Sequence, residues 1–376
     1  MVLSVIIVNY RVPYFLELCL HSVRKTLQGL DAEIIVVDNH SADGSVDLLR
    51  PRFPDVKWIV NTENVGFARA NNLAFLQSAG DHLLFLNPDT ILPEDFAPKC
   101  LRFTQSLDNP GGIGVRMIDG DGRFLKESRR GFPSPWVAFC KLSGLTALFP
   151  RSRRFAQYYL GYLPADHAHP APVLSGACLW VSRAALSRSG PFDETFFMYA
   201  EDIDLSFRLQ KAGFVNYYFP DTTIIHFKGE STPKDIRYIR HFYKAMIQFR
   251  RKHFRLTLDP LIWFRAVLSA VATAVPTTIK TGQTSAKPRR TWLTGDPAAI
   301  QRLLPALTAS RVRTPAPDEQ HAGEIIYCIG KEFSFKSAIR ALEEKSPAQT
   351  AAFYAIDGLA VISSSRRDDL GETWVL

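Results

Sequence analysis

The N-terminal part of the chain alternates between short β-branched apolar runs and stretches whose apolar residues follow helical spacing. The apolar runs predict strands at LSVIIVN (3–9), EIIVVD (33–38), VKWIVN (56–61) and HLLFLN (82–87). The intervening stretches predict helices at 13–27, 41–53 and 66–79. Strands of about six residues that alternate with helices of about ten to fifteen predict a parallel sheet with helices on both faces.

Each predicted strand is followed by polar residues. These are Asn9–Tyr10, Asp38–Asn39, Asn61 and Asn87–Pro88–Asp89. In open α/β sheets the ligand lies beyond the carboxyl ends of the strands. One polar strand end is ordinary loop chemistry, but four along the same edge indicate a binding site there.

The pattern loosens after residue 93 and becomes regular again at residue 172. Residues 108–172 are rich in Gly, Pro, Arg and aromatic residues, with strands predicted near 112–118 and 123–127. Residues 172–186 predict a strand and a short helix, and residues 192–213 predict a loop and a helix. FVNYYFP and TTIIHFKG predict two further strands.

A polar, proline-bearing segment around 274–290 indicates a linker. We therefore divide the chain into a main α/β domain (1–256), an amphipathic helix and linker (257–284) and a small α/β domain (285–376). The small domain shows no catalytic constellation, so we interpret it as a structural or docking module. Its TGD and CIG segments fall at predicted strand ends and leave a binding role as the alternative.

Composition narrows the class of protein. Apolar residues make up 46% of the chain and charged residues 22%, which is typical of a globular protein, and the net charge of +8 suits anionic partners. The five cysteines show no CxxC spacing, which gives no support to a zinc or thioredoxin-type site. The N-terminus lacks a basic region before its apolar run, so we predict a first strand and a cytoplasmic location.

Residues 235–276 combine a basic helical pattern with an apolar run, and this combination has two interpretations. The basic helical pattern at 235–255 and the apolar run at 260–276 suit a peripheral membrane contact or a helix packed on the protein's own core. That apolar run is shorter than the roughly 20 residues of a membrane span. Basic residues elsewhere lack an aromatic stacking pattern, so no nucleic-acid partner is predicted.

Three groups of residues carry metal or proton-transfer chemistry. Asp89 follows the fourth strand, Glu201, Asp202 and Asp204 begin a helix, and His226 closes TTIIHF. Mg²⁺ and Mn²⁺ favour carboxylate oxygens and Mn²⁺ tolerates an imidazole, so Asp89, His226 and a diphosphate together suit such an ion. Each group also has a structural explanation: turn chemistry, a satisfied histidine at a strand end, and acids favoured by a helix dipole.

Seven stretches occur in an order that is specific to one enzyme family. They are SVIIVNY (4–10), IIVVDNHSADGS (34–45), NVGFARANN (64–72), LFLNPDT (84–90), LSGACLWVSR (174–183), FDETFFMYAEDIDLSFRLQKAG (192–213) and IIHFKGES (224–231). Together they resemble glycosyltransferase family 2, inverting enzymes with the GT-A fold, and most closely its bacterial rhamnosyltransferase-type branch. The resemblance implies a mixed, mostly parallel sheet and a nucleoside diphosphate sugar donor, and it does not extend to 285–376.

The resemblance also assigns roles to residues. Asp89 matches the last acid of the family's DxD motif and His226 a histidine that completes metal coordination, with Mg²⁺ or Mn²⁺ as the cofactor. The polar strand ends and the resemblance together give the residues expected to bind the nucleotide or the donor sugar. They are Asn9, Tyr10, Asp38, Asn64, Gly66, Asn71, Asn87, Ser175 and Gly176. Asn87 takes the first position of the motif, and we expect it not to bind the metal directly.

Inverting transfer requires a carboxylate base. An acceptor hydroxyl attacks the anomeric carbon opposite the diphosphate and must lose its proton. Asp202 is our first choice for the base, with Glu201 as the alternative because spacing alone cannot rank two adjacent acids. Asp204 is expected to orient Arg208, four residues further along the helix.

We predict an inverting glycosyltransferase in cell-surface polysaccharide synthesis. It would transfer a sugar, with rhamnose favoured, from a dTDP- or UDP-sugar to a hydroxyl of a saccharide or lipid-linked saccharide, in the cytoplasm or at the inner membrane face. Two alternatives are a nucleotide-sugar-binding module without catalysis and a glycosyltransferase that acts on a protein. A nucleotidyltransferase is disfavoured because such an enzyme usually binds its triphosphate with a glycine-rich, basic loop after the first strand. Here that loop, NYRVPYF, contains no glycine and only one arginine.

Overall fold

The chain folds around two separate sheets. The computed structural model describes residues 1–228, 236–254, 291–307, 312–313, 323–363 and 371–376. The larger sheet contains β1 (Leu3–Asn9), β2 (Ala32–Asp38), β3 (Val56–Val60), β4 (His82–Leu86), β5 (Thr90–Ile91), β6 (Pro110–Ile118), β8 (His169–Pro170), β10 (Cys178–Ser182) and β11 (Val215–His226). A small two-stranded sheet pairs β7 (Arg129–Arg130) with β9 (Val173–Leu174).

The helices that accompany the larger sheet are short to medium in length. They are α1 (Pro13–Thr26), α2 (Ser45–Leu49), α3 (Phe67–Leu76), α4 (Phe96–Gln105), α5 (Pro135–Leu142), α6 (Leu145–Leu148), α7 (Arg183–Ser189), α8 (Glu201–Lys211) and α9 (Ile236–His253). Strand order in the sheet is β3-β2-β1-β4-β10-β6-β11-β5, with β8 on β11. β1 to β4 are mutually parallel, whereas β10 runs antiparallel to both β4 and β6, so the sheet is mixed.

Both faces of the sheet are buried under helices, as the apolar runs predict. Alternate residues of β1 point to opposite sides: Val5 and Ile7 join a core with α1 and α4, and Ile6 and Val8 join a core with α3, α7 and α8. The parallel register sets Asn9 opposite Asp38. The polar strand ends therefore meet at one edge.

Two local predictions differ from the structure. The predicted pair of strands after residue 213 is the single strand β11, with a register shift between Phe219 and Thr223. The strand expected at 123–127 is absent from the described structure, apart from an isolated bridge at Phe124. The Asp119 carboxylate accepts a hydrogen bond from the backbone N–H of Arg123 (2.9 Å), which closes a tight turn there instead.

The second sheet belongs to the C-terminal module, defined here as the described residues from 291 to 376. It contains β12 (Thr291–Gly295), β13 (Val312–Arg313), β14 (Gly323–Ile329), β15 (Gln349–Ala355), β16 (Ala360–Ser363) and β17 (Glu372–Val375), with helices α10 (Pro297–Leu303) and α11 (Phe335–Glu344). The predicted small α/β fold is therefore present. The predicted linker, 257–284, lies outside the described residues.

The C-terminal module packs directly on the larger sheet. A shared apolar cluster joins Phe15, Ile225 and Phe227 to Phe335 and Phe353 of the module. The Glu94 carboxylate also accepts hydrogen bonds from the backbone N–H groups of Phe335 (2.8 Å) and Lys336 (2.9 Å), at the start of α11. These N–H groups have no partner within the helix, so Glu94 caps α11 from outside the module.

The C-terminal part of α9 packs on the protein's own core. Ala245 and Phe249 are buried beside Phe196, Ala200 and Ile203. Of the two interpretations of the basic helix, the structure therefore supports the core-packed one for this part. The apolar run 260–276 lies outside the described residues. Within the described ranges, every helix is too short or too polar to cross a bilayer.

Candidate active site at the carboxyl edge of the larger sheet

Asp38 and Asn9 lock the ends of the first two strands together. Asn9 Nδ2 donates to Asp38 Oδ1 (2.8 Å), and Ser41 donates to the same carboxylate from its hydroxyl (2.6 Å) and its backbone N–H (3.1 Å). Tyr10 lies partly exposed beside them, with the Arg11 guanidinium 5.1 Å from its ring centre. Asp38 is thus held in one orientation at the sheet edge.

A groove of about 610 Å³ lies next to Asp38. Its polar lining residues are Asp38, His40, Asp43, Ser45, Asp47, Arg50 and Asn61. A volume of this size is typical of small-ligand sites, which measure about 300–1,000 Å³.

Asn39 organises the same edge, although the sequence analysis gave it no role. Its amide nitrogen donates to Asn64 Oδ1 (2.9 Å), and its amide oxygen accepts from Asn61 Nδ2 and the Val65 N–H (both 3.0 Å). Asn64 Oδ1 also accepts from the Gly66 N–H (3.0 Å). The signal that could have identified Asn39 is its position at a polar strand end.

Gly66 and Asn71 make contacts within the protein. A side chain at Gly66 would lie 2.6 Å from the Phe197 carbonyl oxygen, and the Phe67 N–H donates to that oxygen (2.8 Å). Asn71 Nδ2 donates to the Phe67 carbonyl (2.9 Å). Gly66 also has a φ of +85°, which favours glycine. In this structure the glycine admits the protein loop that leads into α8.

Asn72, which has no predicted role, binds the backbone of the loop that leads into α8. Its side chain donates to the Phe192 carbonyl (2.8 Å) and accepts from the Phe192 N–H (3.1 Å). The loop then passes through two residues in the left-handed region, Tyr199 (φ +70°) and Ala200 (φ +65°), just before Glu201. Consecutive non-glycine residues in this region are uncommon and cluster at functional sites.

Strand pairing brings Asp89 and His226 together. β5 and β11 run antiparallel with Thr90 opposite His226, which places the preceding Asp89 beside the histidine. Asp89 Oδ1 lies 3.5 Å from His226 Nε2, and Asn87 Nδ2 lies 3.4 Å from the same nitrogen. The Lys228 N–H holds the other Asp89 oxygen at 3.1 Å. The two predicted metal ligands and Asn87 are therefore neighbours.

The pair has the character of an incomplete ligand set. Asp89 Oδ1 is buried, and no described residue donates a hydrogen bond to it. A buried carboxylate oxygen without a donor is costly unless a cation or another partner neutralises it. The described residues contain no cluster of three or more His, Cys, Asp or Glu side chains suited to an ion. The site therefore fits an ion that takes its remaining ligands from a diphosphate and water, as Mg²⁺ usually does.

Asp202 lies where the predicted donor-sugar residues meet α8. Its Oδ2 accepts from the Gly176 N–H (3.1 Å) and from the Arg130 guanidinium, and its Oδ1 accepts from the Ile203 N–H (2.8 Å). Although burial opposes its charge, Arg130 has a raised pKa because of the Asp202 carboxylate. Arg130, which the sequence patterns did not reveal, therefore pairs with the Asp202 carboxylate. Ser175, next to Gly176, is partly exposed.

The Glu201 carboxyl has a strongly raised pKa. Burial, and then the negative charge of Asp202, raise the pKa of the Glu201 carboxyl to about 8. Its Oε2 atom is buried without a hydrogen-bond partner in the part of the chain that the structure describes. Near neutral pH Glu201 therefore retains its proton.

Asp204 has a structural role. The predicted contact with Arg208 is confirmed, since Arg208 Nε donates to Asp204 Oδ2 at 2.6 Å. The other carboxylate oxygen of Asp204, Oδ1, lies within hydrogen-bonding distance of Lys252 Nζ (2.7 Å) and His253 Nε2 (2.6 Å). Asp204 is fully buried and joins α8 to α9.

Comparisons with known proteins show what this chain is similar to. The family model of glycosyl transferase family 2 matches residues 4–188. An N-acetylglucosaminyl-diphospho-decaprenol L-rhamnosyltransferase of Mycobacterium tuberculosis (strain H37Rv) is 29% identical over 275 residues, which cover 70% of this chain and 88% of that protein. The low-salt glycan biosynthesis hexosyltransferase Agl10 of Haloferax volcanii is 26% identical over 256 residues, which cover 66% of this chain and 74% of that protein.

Among solved structures, the chain is similar to a mannosyltransferase from Pyrobaculum calidifontis in complex with GDP-Man and Mn²⁺. The identity is 18%, the TM-score is 0.47, and the match covers 73% of this chain and 70% of that chain. The family match and the mixed sheet with helices on both faces confirm the predicted GT-A-type fold.

Proposed function

Because the chain belongs to glycosyl transferase family 2 and is a glycosyltransferase, we propose that it is an inverting enzyme that transfers a sugar to a lipid-linked saccharide. The proposed donor is a dTDP- or UDP-sugar, with rhamnose favoured. Similarity to an N-acetylglucosaminyl-diphospho-decaprenol L-rhamnosyltransferase over 88% of that protein supports both the sugar and the acceptor. The observation that carries the proposal is the buried, unpartnered Asp89 oxygen beside His226.

In this proposal Asp89 and His226 hold a divalent cation. Mg²⁺ or Mn²⁺, when bound, would offset the charge that develops on the leaving diphosphate. Within the protein, the Lys228 N–H fixes the second Asp89 oxygen, so the unpartnered oxygen keeps its orientation toward His226. Asn87 borders the pair and is assigned to the donor.

Asp202 is the proposed base. The Gly176 N–H and Arg130 hold its carboxylate in a fixed orientation beside Ser175 and Gly176, the residues assigned to the donor sugar. Glu201 is the weaker candidate because its raised pKa leaves it protonated near neutral pH. In the proposed mechanism the acceptor hydroxyl transfers its proton to Asp202 as it attacks the anomeric carbon.

The nucleotide is assigned to the edge formed by Asn9, Asp38 and Asn64. The fixed Asp38 carboxylate and the adjacent groove of about 610 Å³ support this assignment. The positions of Gly66 and Asn71 support an indirect role for both. Gly66 admits the loop before α8 at the start of α3, and Asn71 donates to the carbonyl of Phe67, whose own N–H binds that loop, so both help indirectly to position Asp202.

A donor screen tests the proposal. The purified chain is incubated with dTDP-rhamnose and with other dTDP- and UDP-sugars, with Mn²⁺, with Mg²⁺ or with a chelator, and the release of nucleoside diphosphate is measured. We expect one donor class to be turned over, faster with a lipid-linked saccharide present, and turnover to stop with the chelator. Donor binding without turnover of any donor would favour the inactive binding module, and transfer to a protein would favour the other alternative.

A further inference from the structure

We propose that a surface on the hairpin of α5 and α6 binds the anionic face of a lipid bilayer. The aromatic patch, defined as Trp136, Phe139, Leu148, Phe149 and Phe155, carries this inference. Four of its members are unusually exposed for apolar residues: Trp136 (39%), Phe139 (50%), Leu148 (71%) and Phe149 (50%). Exposed apolar residues gathered in one place mark protein or membrane contact sites.

Ring contacts join the four aromatic members of the patch, and Leu148 directly precedes one of them, Phe149, in the chain. The ring of Trp136 lies 5.7 Å from that of Phe139 and 6.0 Å from that of Phe155, and Phe149 lies 5.4 Å from Phe155. Trp136 Nε1 donates to the Arg154 carbonyl (3.0 Å), which fixes the indole with part of its surface exposed. Trp and Phe side chains of this kind are favoured at the boundary between headgroups and acyl chains.

Charge around the patch selects the partner. Between residues 131 and 156, which include the patch, the chain carries four basic residues and no aspartate or glutamate. Arg151, Arg153 and Arg154 are exposed next to the patch. Basic side chains around an apolar surface suit anionic phospholipids, each contributing about 1 kcal/mol near the membrane. Two copies of the chain meeting through this surface would instead bring like charges together.

A chain of contacts through Tyr158, Gly131 and Arg130 connects the hairpin to the candidate active site. Lys141 of α5 places its Nζ atom 3.6 Å from the ring centre of Tyr158, and the Tyr158 carbonyl accepts from the Gly131 N–H (3.0 Å). The adjacent residue, Arg130, pairs with Asp202. If the proposed function holds, the bound bilayer would present a lipid-linked acceptor on the side of the base. Lipid binding itself does not depend on that function.

Vesicle sedimentation with the full chain tests the proposal. Vesicles of phosphatidylcholine alone are compared with vesicles that also contain phosphatidylglycerol. We expect binding to the anionic vesicles and weakening with added salt, because salt screens exposed charges. Leu148→Ser and Arg151→Glu should each lower the partition coefficient about tenfold, through lost apolar burial and a reversed charge.

Matched substitutions outside the patch serve as controls. Leu76→Ser changes a leucine of similar exposure (78%) on α3, and Arg340→Glu reverses an exposed arginine on α11. Both should bind vesicles as the unaltered protein does, and melting temperatures show which variants remain folded. Unchanged binding by Leu148→Ser and Arg151→Glu would overturn the proposal, as would no preference for anionic vesicles. Loss of self-association, without any vesicle binding, would identify a contact between copies instead.

Discussion

The ring of Phe353, in the C-terminal module, packs edge-on against the ring of Phe227, with centres 5.5 Å apart and planes at 69°. Phe227 follows His226 in the chain and also packs against Phe15 of α1, with ring centres 5.3 Å apart. Both Phe227 and Phe353 are buried. The module therefore supports the end of β11 that carries a proposed metal ligand.

Phe353→Ala should weaken both stability and metal dependence. Loss of a buried aromatic ring leaves a cavity and costs about 3–5 kcal/mol of unfolding free energy. Because Phe227 would lose this support beside His226, the Mn²⁺ concentration that gives half-maximal turnover should rise. Denaturant unfolding and Mn²⁺ titration of nucleoside diphosphate release measure the two effects. Leu303→Ala, in the other core of the module, is the control; an equal change in its Mn²⁺ dependence would contradict the positional argument.

Removal of residues 285–376 should yield poorly soluble protein. The truncation would expose buried apolar side chains that now contact the module, among them Phe15, Ile118 and Ile225. A large exposed apolar face promotes aggregation. Size-exclusion chromatography of the truncated chain checks this expectation, and a monodisperse, folded product would show that the larger domain does not need the module.

Asp89→Asn should abolish metal dependence with little change in shape. The substitution removes the charge of the unpartnered oxygen, so turnover should fall about a hundredfold or more. Mn²⁺ should raise the melting temperature of the unaltered protein but not of the variant. Asp95→Asn, which alters an acid paired with Lys99 and Lys336, is the control and should keep the response to Mn²⁺. Full activity of Asp89→Asn would refute the metal assignment.

Asp202→Asn and Asp204→Asn should differ in their effect on kcat, although the two residues are close on α8. Loss of the proposed base should lower kcat about a thousandfold, within the range for general bases. Asp204→Asn should leave the chemistry intact but cost about 3–5 kcal/mol of unfolding free energy, since it leaves Arg208 and Lys252 without their buried partner. Asp202→Asn also leaves Arg130 without its partner, so denaturant unfolding should show a loss of stability in both variants, and the loss of kcat in Asp202→Asn alone, measured by steady-state kinetics, distinguishes the two roles. Retained kcat in Asp202→Asn would shift the assignment to Glu201.

Glu201 should make stability fall as pH rises. Its pKa is about 8 in the folded protein, whereas a glutamate carboxyl ordinarily has a pKa of 4.5. A raised folded-state pKa contributes stability that is fully present below the unfolded value and is lost as pH rises through the folded value. The unfolding free energy should therefore decrease between these values by up to about 1.4 kcal/mol per pH unit.

Glu201→Gln is the comparison for this prediction. The amide cannot ionise, so the variant should lose the Glu201 part of the slope and become more stable relative to the unaltered protein at high pH. Denaturant unfolding at intervals from pH 5 to pH 9 measures the difference. Parallel curves for the two proteins would show that Glu201 is not protonated at neutral pH.

Patterns within single segments predicted most of the fold. The β-branched runs predicted β1 to β4, and their polar ends predicted one binding edge because parallel strands share a direction. The predictions of strands and functional residues were less accurate where local sequence patterns were weak. Residues 108–172 contain both the aromatic patch and Arg130, and neither was identified, since an arginine in a loose segment carries no periodic signal. The order of motifs, rather than any one motif, pointed to the family.

The sequence by itself determined which residues could do chemistry: two carboxylates at a helix start, an acid after a strand and a histidine at the end of another. Their partners depended on tertiary structure. Pairing of β5 with β11 set Asp89 beside His226, and burial together with the charge of Asp202 raised the pKa of Glu201. Spacing along a chain cannot give this information, because pKa values depend on solvent access and on neighbouring charges, and both arise only when distant segments pack together.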